Sequence, residues 1–310
     1  MSTVFLIGAG ASYGSGPCTP HQPPLGNYFF DEFKKMGGIA STVSEELENL
    51  FKEDFEKGMD AFFEERNTDV SSFLRDMAKY FSQFEPLDGN LYAELIKIVG
   101  HGRKKATFVT TNYDLLIELA AMQQGMLVSY GGLPAPANNL PIIKIHGSCN
   151  FFPDMGGGSI SGVGFDISGS SGASILDAGI KVARSTREIL RFCEEEDAIA
   201  PALAMYSPDK RVLYCRTFVE QQQAMWRSEV AKAKRVYIIG LKVHAVDDHI
   251  WGVLASSSCK KYYVGGEPQE FKEWARVTGA KNCFSIASTF EESLPVIANH
   301  LNSKWTTSNA

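Results

Sequence analysis

The sequence predicts an α/β fold, a doubly wound (Rossmann-like) parallel sheet, and two observations carry that prediction. Short, nearly continuous apolar runs rich in β-formers recur along the chain, and helical patterns lie between them. Strands that are apolar on both faces belong in a parallel sheet covered on both sides. Alternation of such strands with helices defines the doubly wound class.

The strand candidates, in order, are "TVFLIG" (3–8), "ATFVTT" (106–111), "PIIKIH" (141–146), "RVYIIG" (235–240), "KYYVG" (261–265) and "NCFSI" (282–286). Phe73, Leu74, Met77, Tyr80, Phe81 and Phe84 fall on one helical face at 3.6-residue spacing. "TFVE" (217–220) is a capping box that predicts a helix beginning at Thr217, with Glu220 three residues on. Two stretches interrupt the alternation. Residues 27–104 look mostly helical and predict a helical module inserted in the first crossover. Residues 151–215 open with a Gly/Ser-rich tract (156–174) and continue as a helical pattern to "FCEEED", predicting a second insertion.

With 310 residues, the chain has room for one large domain with insertions. A hydrophobic content of 44% and a charged content of 21% are those of an ordinary globular protein. The formal charge of −6 argues against strong direct nucleic-acid binding, which calls for a basic surface. No run approaches the roughly 20 apolar residues of a membrane span, and the first apolar run stops at Gly8 without a basic leader. The six cysteines are scattered, with no C-x-x-C pair, which predicts reduced thiols, a cytoplasmic location and no metal.

Gly8 and Gly10, in the turn after the first strand, let backbone approach a phosphate at a helix N-terminus. The same glycines serve equally as a tight strand–helix turn. The dinucleotide fingerprint calls for glycine at position 13, where this chain has Tyr13; the acid expected about 20 residues on is also missing. No G-K-[S/T] follows, so a P-loop is excluded too. The stretch therefore reads as a dinucleotide site without hydride-transfer chemistry.

"FVTTNYD" places Asn112 and Asp114 where a strand passes into a helix, and Thr111 or Asn112 can equally cap that helix. "IIKIHGS" puts His146 and Gly147 at the end of another buried strand, where a histidine can also be purely structural. Carboxyl ends of parallel strands share one crevice. A glycine cradle, a small amide and a group that titrates near neutrality would converge there.

Together, "GAGASYGSG" (8–16), "TTNYD" (110–114) and "IHGS" (145–148), in that order, resemble the sirtuin superfamily, in particular its bacterial sirtuin-like NAD-hydrolysing branch. "IIGLKVHAVDDHIW" (238–251) adds a weaker similarity. The resemblance implies a single sirtuin-like domain over 1–310. It implies that Gly8, Ala9, Gly10 and Ser12 line the pyrophosphate and ribose, with Thr111 and Gly147 beside the ligand. In the same scheme Asn112 positions the attacking group, Asp114 contacts the nicotinamide carboxamide and His146 is the base. Gly240 begins a loop over the adenosine half, with Gly265 and Gly266 nearby.

This sequence departs from protein-deacylating sirtuins in three places. "PCTPHQPP" stands where they carry Ile-Pro-Asp-Phe-Arg, the zinc module's C-x-x-C pairs are missing, and "LKVHA" replaces a Ser-rich turn. Each loss removes part of an acyl-peptide site and leaves the parts that hold NAD. The expectation is NAD cleavage to nicotinamide and ADP-ribose, with NAD as substrate. A protein deacylase and a non-catalytic NAD- or ADP-ribose-binding subunit are the alternatives. The resemblance further implies an antiphage effector, a homo-oligomer, and a HerA-type DNA-translocating ATPase or other phage sensor as partner.

Overall fold

The computed structural model describes residues 2–100, 106–135, 139–154, 156, 164–166, 175–194, 199–204, 214–244 and 247–303. β1 (Ser2–Ile7) runs directly into the short helix α1 (Ala9–Tyr13). A small ribbon of β2 (Cys18–Thr19) and β3 (Glu85–Pro86) brackets four helices: α2 (Gly26–Lys35), α3 (Glu45–Glu53), α4 (Phe55–Glu65) and α5 (Val70–Phe81). Next come α6 (Leu91–Val99), β4 (Ala106–Thr110), α7 (Leu116–Gln123), β5 (Leu127–Tyr130) and β6 (Asn139–Lys144). The segment that follows holds β7 (Phe151–Asp154), β8 (Gly164–Asp166), β9 (Ile175–Asp177), β10 (Gly179–Val182) and α8 (Thr186–Glu194). The chain then alternates regularly: α9 (Arg216–Lys232), β11 (Ala233–Ile239), α10 (Asp248–Ser256), β12 (Lys260–Val264), α11 (Pro268–Thr278), β13 (Cys283–Ala287) and α12 (Phe290–His300). Of the Gly/Ser-rich tract at 156–174, all but Gly156 and 164–166 lies outside the described residues.

Seven strands form one sheet in the order β13-β12-β11-β1-β4-β6-β5, and all its pairings are parallel. β1 is central. The chain adds β4 and β6 on one side, then returns to add β11, β12 and β13 on the other. That reversal puts a topological switch point at the carboxyl end of β1, beside β11.

Period-two alternation explains the two cores. Val4 and Leu6 of β1 join Val109, Ile143, Val236 and Ile238 on one face, under Trp226 of α9, Trp251 of α10 and Trp274 of α11. Phe5 and Ile7 point the other way, into a core shared with α6, α7, α12 and the α2–α5 helices. Register lines up an aromatic row across five strands on that second face. Phe108, Phe5, Tyr237, Tyr262 and Phe284 stack successively with centroids 5.0, 5.2, 5.1 and 5.5 Å apart. The offset-stacking range is 4.5–7 Å, so each contact adds cross-strand attraction beyond area burial.

All six strand candidates form, and the sheet gains β5, whose short, half-polar sequence "LVSY" gives a weak period. Phe73 through Tyr80 lie on the buried face of α5, while Phe84 is buried just past the helix end. One expectation fails. Thr217 is not a cap: α9 starts at Arg216 behind a left-handed Cys215, and the Thr217 hydroxyl donates instead to Asp177 at 2.5 Å. Glu220 pairs with Arg216 rather than reaching back to the cap. A capping box does form at the start of α12, between Thr289 and Glu292.

Candidate active site

The turn from β1 into α1 is held by close glycine contacts. Gly10 N–H donates to Gly240 O at 2.8 Å, and a Cβ on Gly8 would lie 2.6 Å from that same oxygen. Gly240 takes φ +64, and a Cβ there would sit 1.9 Å from Ala11 N. Gly8, Gly10 and Gly240 thus let the β1 and β11 ends touch backbone to backbone at the switch point.

A cavity of about 340 Å³ opens at the carboxyl ends of β1 and β4. That volume lies within the usual range of about 300–1,000 Å³ for small-molecule sites. Its floor is Ala9, Ser12 and Thr111–Asp114, and Lys242 and His244 border it from the loop after β11. Its roof comes from the helical segment: Pro23, Pro24, Phe29 and Phe81, with Glu53, Asp54 and Glu56 at the α3–α4 junction.

Hydrogen bonds fix the floor. Asn112 Nδ2 donates to Gly8 O at 3.0 Å and to Ser12 Oγ at 2.9 Å. Gly8 O can only accept, so the carboxamide has one orientation: both protons are used inward, and Oδ1 is the group's acceptor. Ser12 Oγ donates to Asp114 Oδ2 at 2.9 Å, so the Tyr92 hydroxyl, 2.9 Å away, is the donor to Ser12. Tyr92 is fully buried, and burial with the nearby Asp114 charge holds its phenol protonated. Asp114 Oδ1 accepts from Leu116 N–H at 3.1 Å and so ties off the start of α7. Thr111 and Asn112 do not cap that helix: the capping contact is Asp114's, and Asn112 turns back toward Gly8.

Beneath the loop lies a buried ion pair. Lys144 Nζ stands 3.0 Å from Glu118 Oε1 and donates to the Asp114 and Asn112 carbonyls at 2.5 and 3.4 Å. Burial pushes the Glu118 carboxyl up, and the Lys144 ammonium pulls it back. A single charge inside an apolar strand (Lys144) or on the buried side of an apolar helix (Glu118) gives no periodicity signal, and sequence reasoning missed both residues.

His146 lies outside the cavity wall. It follows β6, is 2% exposed, and its Nε2 stands 2.9 Å from His249 Nε2. His249 Nδ1 in turn is 3.9 Å from Asp247 Oδ1. Gly147, at φ +79, allows close contact with the Ala202 carbonyl, 1.9 Å from where a Cβ would be. Gly265 donates to Ala287 O at 3.2 Å beyond β12, while a Cβ on Gly266 would meet nothing within 4 Å. The structure therefore brings Ala9, Ser12, Thr111, Asn112 and Asp114 to one cavity, with Gly8, Gly10 and Gly240 as its backing. His146, Gly147, Gly265 and Gly266 are not among the residues that line it. Asp247 and His249 are additions; their signal was the D-x-H spacing inside "AVDDHIW".

The class these features define is a doubly wound α/β protein with a cavity, its floor carrying polar side chains, at the carboxyl ends of its central strands, where such sheets bind ligands. No protein-family model matches the chain, and no curated protein sequence matches it. Among solved structures, the chain is similar to a mutant Sir2 homologue in complex with ADP-ribose. Identity is 14% and the TM-score 0.46, over 97% of this chain and 92% of that one. A Sir2 homologue in complex with NAD is similar at 15% identity and a TM-score of 0.41, over 97% of this chain and 89% of that one. No helix among the described residues is long and apolar enough to cross a membrane.

Proposed function

We propose that this chain is an NAD glycohydrolase that releases nicotinamide and ADP-ribose. The observation that carries the reading is Asn112 on the cavity floor, with both carboxamide protons tied to Gly8 and Ser12. A carboxamide so held offers a fixed acceptor, Oδ1, for a water or a ribose hydroxyl. The ordered motifs "GAGAS", "TTNYD" and "IHGS" support the same ligand.

In the reaction, the bond from ribose C1′ to the pyridinium nitrogen breaks, and its electron pair leaves with neutral nicotinamide. No general acid is then needed for the leaving group, unlike ordinary glycosidases with two carboxylates. Water adds to C1′ and loses a proton. Asn112 orients that water, and the motif resemblance assigns its proton to His146. That residue stands outside the cavity wall with His249 at its Nε2, and so takes the proton through an intervening water. Asp114 holds Ser12 and the start of α7 in place and borders the nicotinamide end. The α3–α4 roof restricts bulk water.

The test is nicotinamide release from NAD by wild type, Asn112→Ala and His146→Ala. General-base and positioning groups each contribute about 100-fold or more, so each variant is expected to lose at least that much. Equal release from all three proteins overturns the reading. The motif resemblance also supports an antiphage effector acting as an oligomer with a HerA-type ATPase. Cellular NAD measured during infection, with and without the ATPase, tests that setting.

A further inference from the structure

We propose that His146, Asp247 and His249 form a binding site for one divalent transition-metal ion of the zinc class. The three side chains come from two elements. His146 follows β6, Asp247 precedes α10, and His249 lies in its first turn. Each offers one ligand atom, and these atoms all lie within 4.8 Å of one another. Imidazole and carboxylate atoms about 2.0–2.2 Å from a shared ion stand about 2.8–3.6 Å from each other. The two Nε2 atoms, 2.9 Å apart, already span such an edge. Asp247 Oδ1 lies 3.9 Å from Nδ1, the other nitrogen of the His249 ring, and within the 4.8 Å span of the three ligand atoms, so the carboxylate closes the set by turning toward the Nε2 pair.

The backbones that carry these ligands are fixed before any ion arrives. Ala204 N–H donates to His146 O at 2.9 Å, and Ile145 N–H donates to Thr110 O at 3.1 Å. Trp226 Nε1 donates to His249 O at 3.1 Å, and Asp247 O accepts from Ile250 and Trp251 N–H, each at 2.8 Å. Two imidazoles and one carboxylate suit zinc, cobalt, iron or nickel rather than magnesium or calcium, which prefer all-oxygen shells. Three protein ligands also leave coordination positions open.

A metal held here takes the His146 lone pair that the proposed NAD cleavage needs, so occupancy slows turnover. That consequence rests on the NAD reading; the binding does not.

The experiment titrates Co²⁺ into the metal-stripped full chain and follows visible d–d absorption. Wild type is compared with His249→Ala, Asp247→Asn and, as a surface control, His21→Ala. The expected result is one Co²⁺ per chain in wild type and His21→Ala, with affinity lowered about 10–100-fold or more in the other two. Absence of d–d absorption in wild type, or equal affinity in all four proteins, overturns the site. Thermal midpoints identify a variant that fails to fold, and the conservative Asp247→Asn then stands for it. Zn²⁺ added to the NAD assay is expected to slow wild type more than His249→Ala. Because cobalt absorption needs no turnover, failure of the metal site and failure of the NAD reading are separate results.

Discussion

The Asn112 carboxamide donates to the Ser12 hydroxyl at 2.9 Å across 100 residues of sequence. That bond joins α1 to the turn after β4, and Ser12 passes the constraint on to Asp114 and Tyr92. One hydroxyl thus sets the position of an amide, a carboxylate and a phenol.

Ser12→Ala is expected to lower NAD turnover about 10-fold or more while the chain still folds. It strands the Tyr92 hydroxyl and one Asn112 proton, and buried groups left unpaired cost about 1–3 kcal/mol each. Nicotinamide release and the thermal midpoint, measured side by side, check both halves. Wild-type turnover in this variant contradicts the central role of Ser12.

Lys144→Ala leaves Glu118 buried and uncompensated. Breaking such a pair from one side costs about 3–5 kcal/mol. The double variant Lys144→Met with Glu118→Leu is expected to be closer to wild type than the single one. Urea denaturation of the full cycle decides it; additive costs mean the two residues do not act as a pair.

Gly240 and Gly266 both follow strands of the same sheet and are expected to behave oppositely. Gly240→Ala combines φ +64 with a Cβ 1.9 Å from Ala11 N. Strain and overpacking together cost about 3 kcal/mol or more. Gly266→Ala meets open space and is expected to stay within about 0.5 kcal/mol of wild type. Soluble yield and thermal midpoint separate them.

His300 supplies a pH dependence of stability. Its ring packs on Tyr262, and its Nδ1 lies 3.1 Å from the Tyr237 hydroxyl. Burial, then the Arg235 and Lys260 charges, lower its pKa below 6.5. A lowered folded-state value means the unfolded chain takes the proton first. The contribution is complete above 6.5 and is lost as pH falls through the folded-state value. His300→Phe keeps the ring contact and is expected to flatten the slope of urea midpoint against pH on the acid side of 6.5. An unchanged slope contradicts it.

The inner strands were legible in the sequence because they are buried on both faces, which leaves a run of apolar residues such as Val4 to Ile7 that few other elements produce. β5 was not, since an edge strand with an exposed Leu127 lacks that run. The floor of the site was legible where it is local, in the glycine turn and "TTNYD". What escaped was long-range: Tyr92 against Ser12, Lys144 against Glu118, His249 against His146. Such pairings arise only when strand order brings distant segments together. Capping misled at Thr217 because a Ser/Thr-x-x-Glu spacing also fits a helix already under way, where Glu220 has Arg216 to bind.

The α2–α5 helices roof the cavity yet contribute no strand to the main sheet. On the proposed function, the protein divides its labour by segment: the strand ends hold the reacting groups, and the insert decides what reaches them. Glu53, Asp54 and Glu56 of the insert line the same cavity as Lys242 and His244. Exchanging the insert for another of equal span would alter which ligands are admitted while leaving the reactive floor intact.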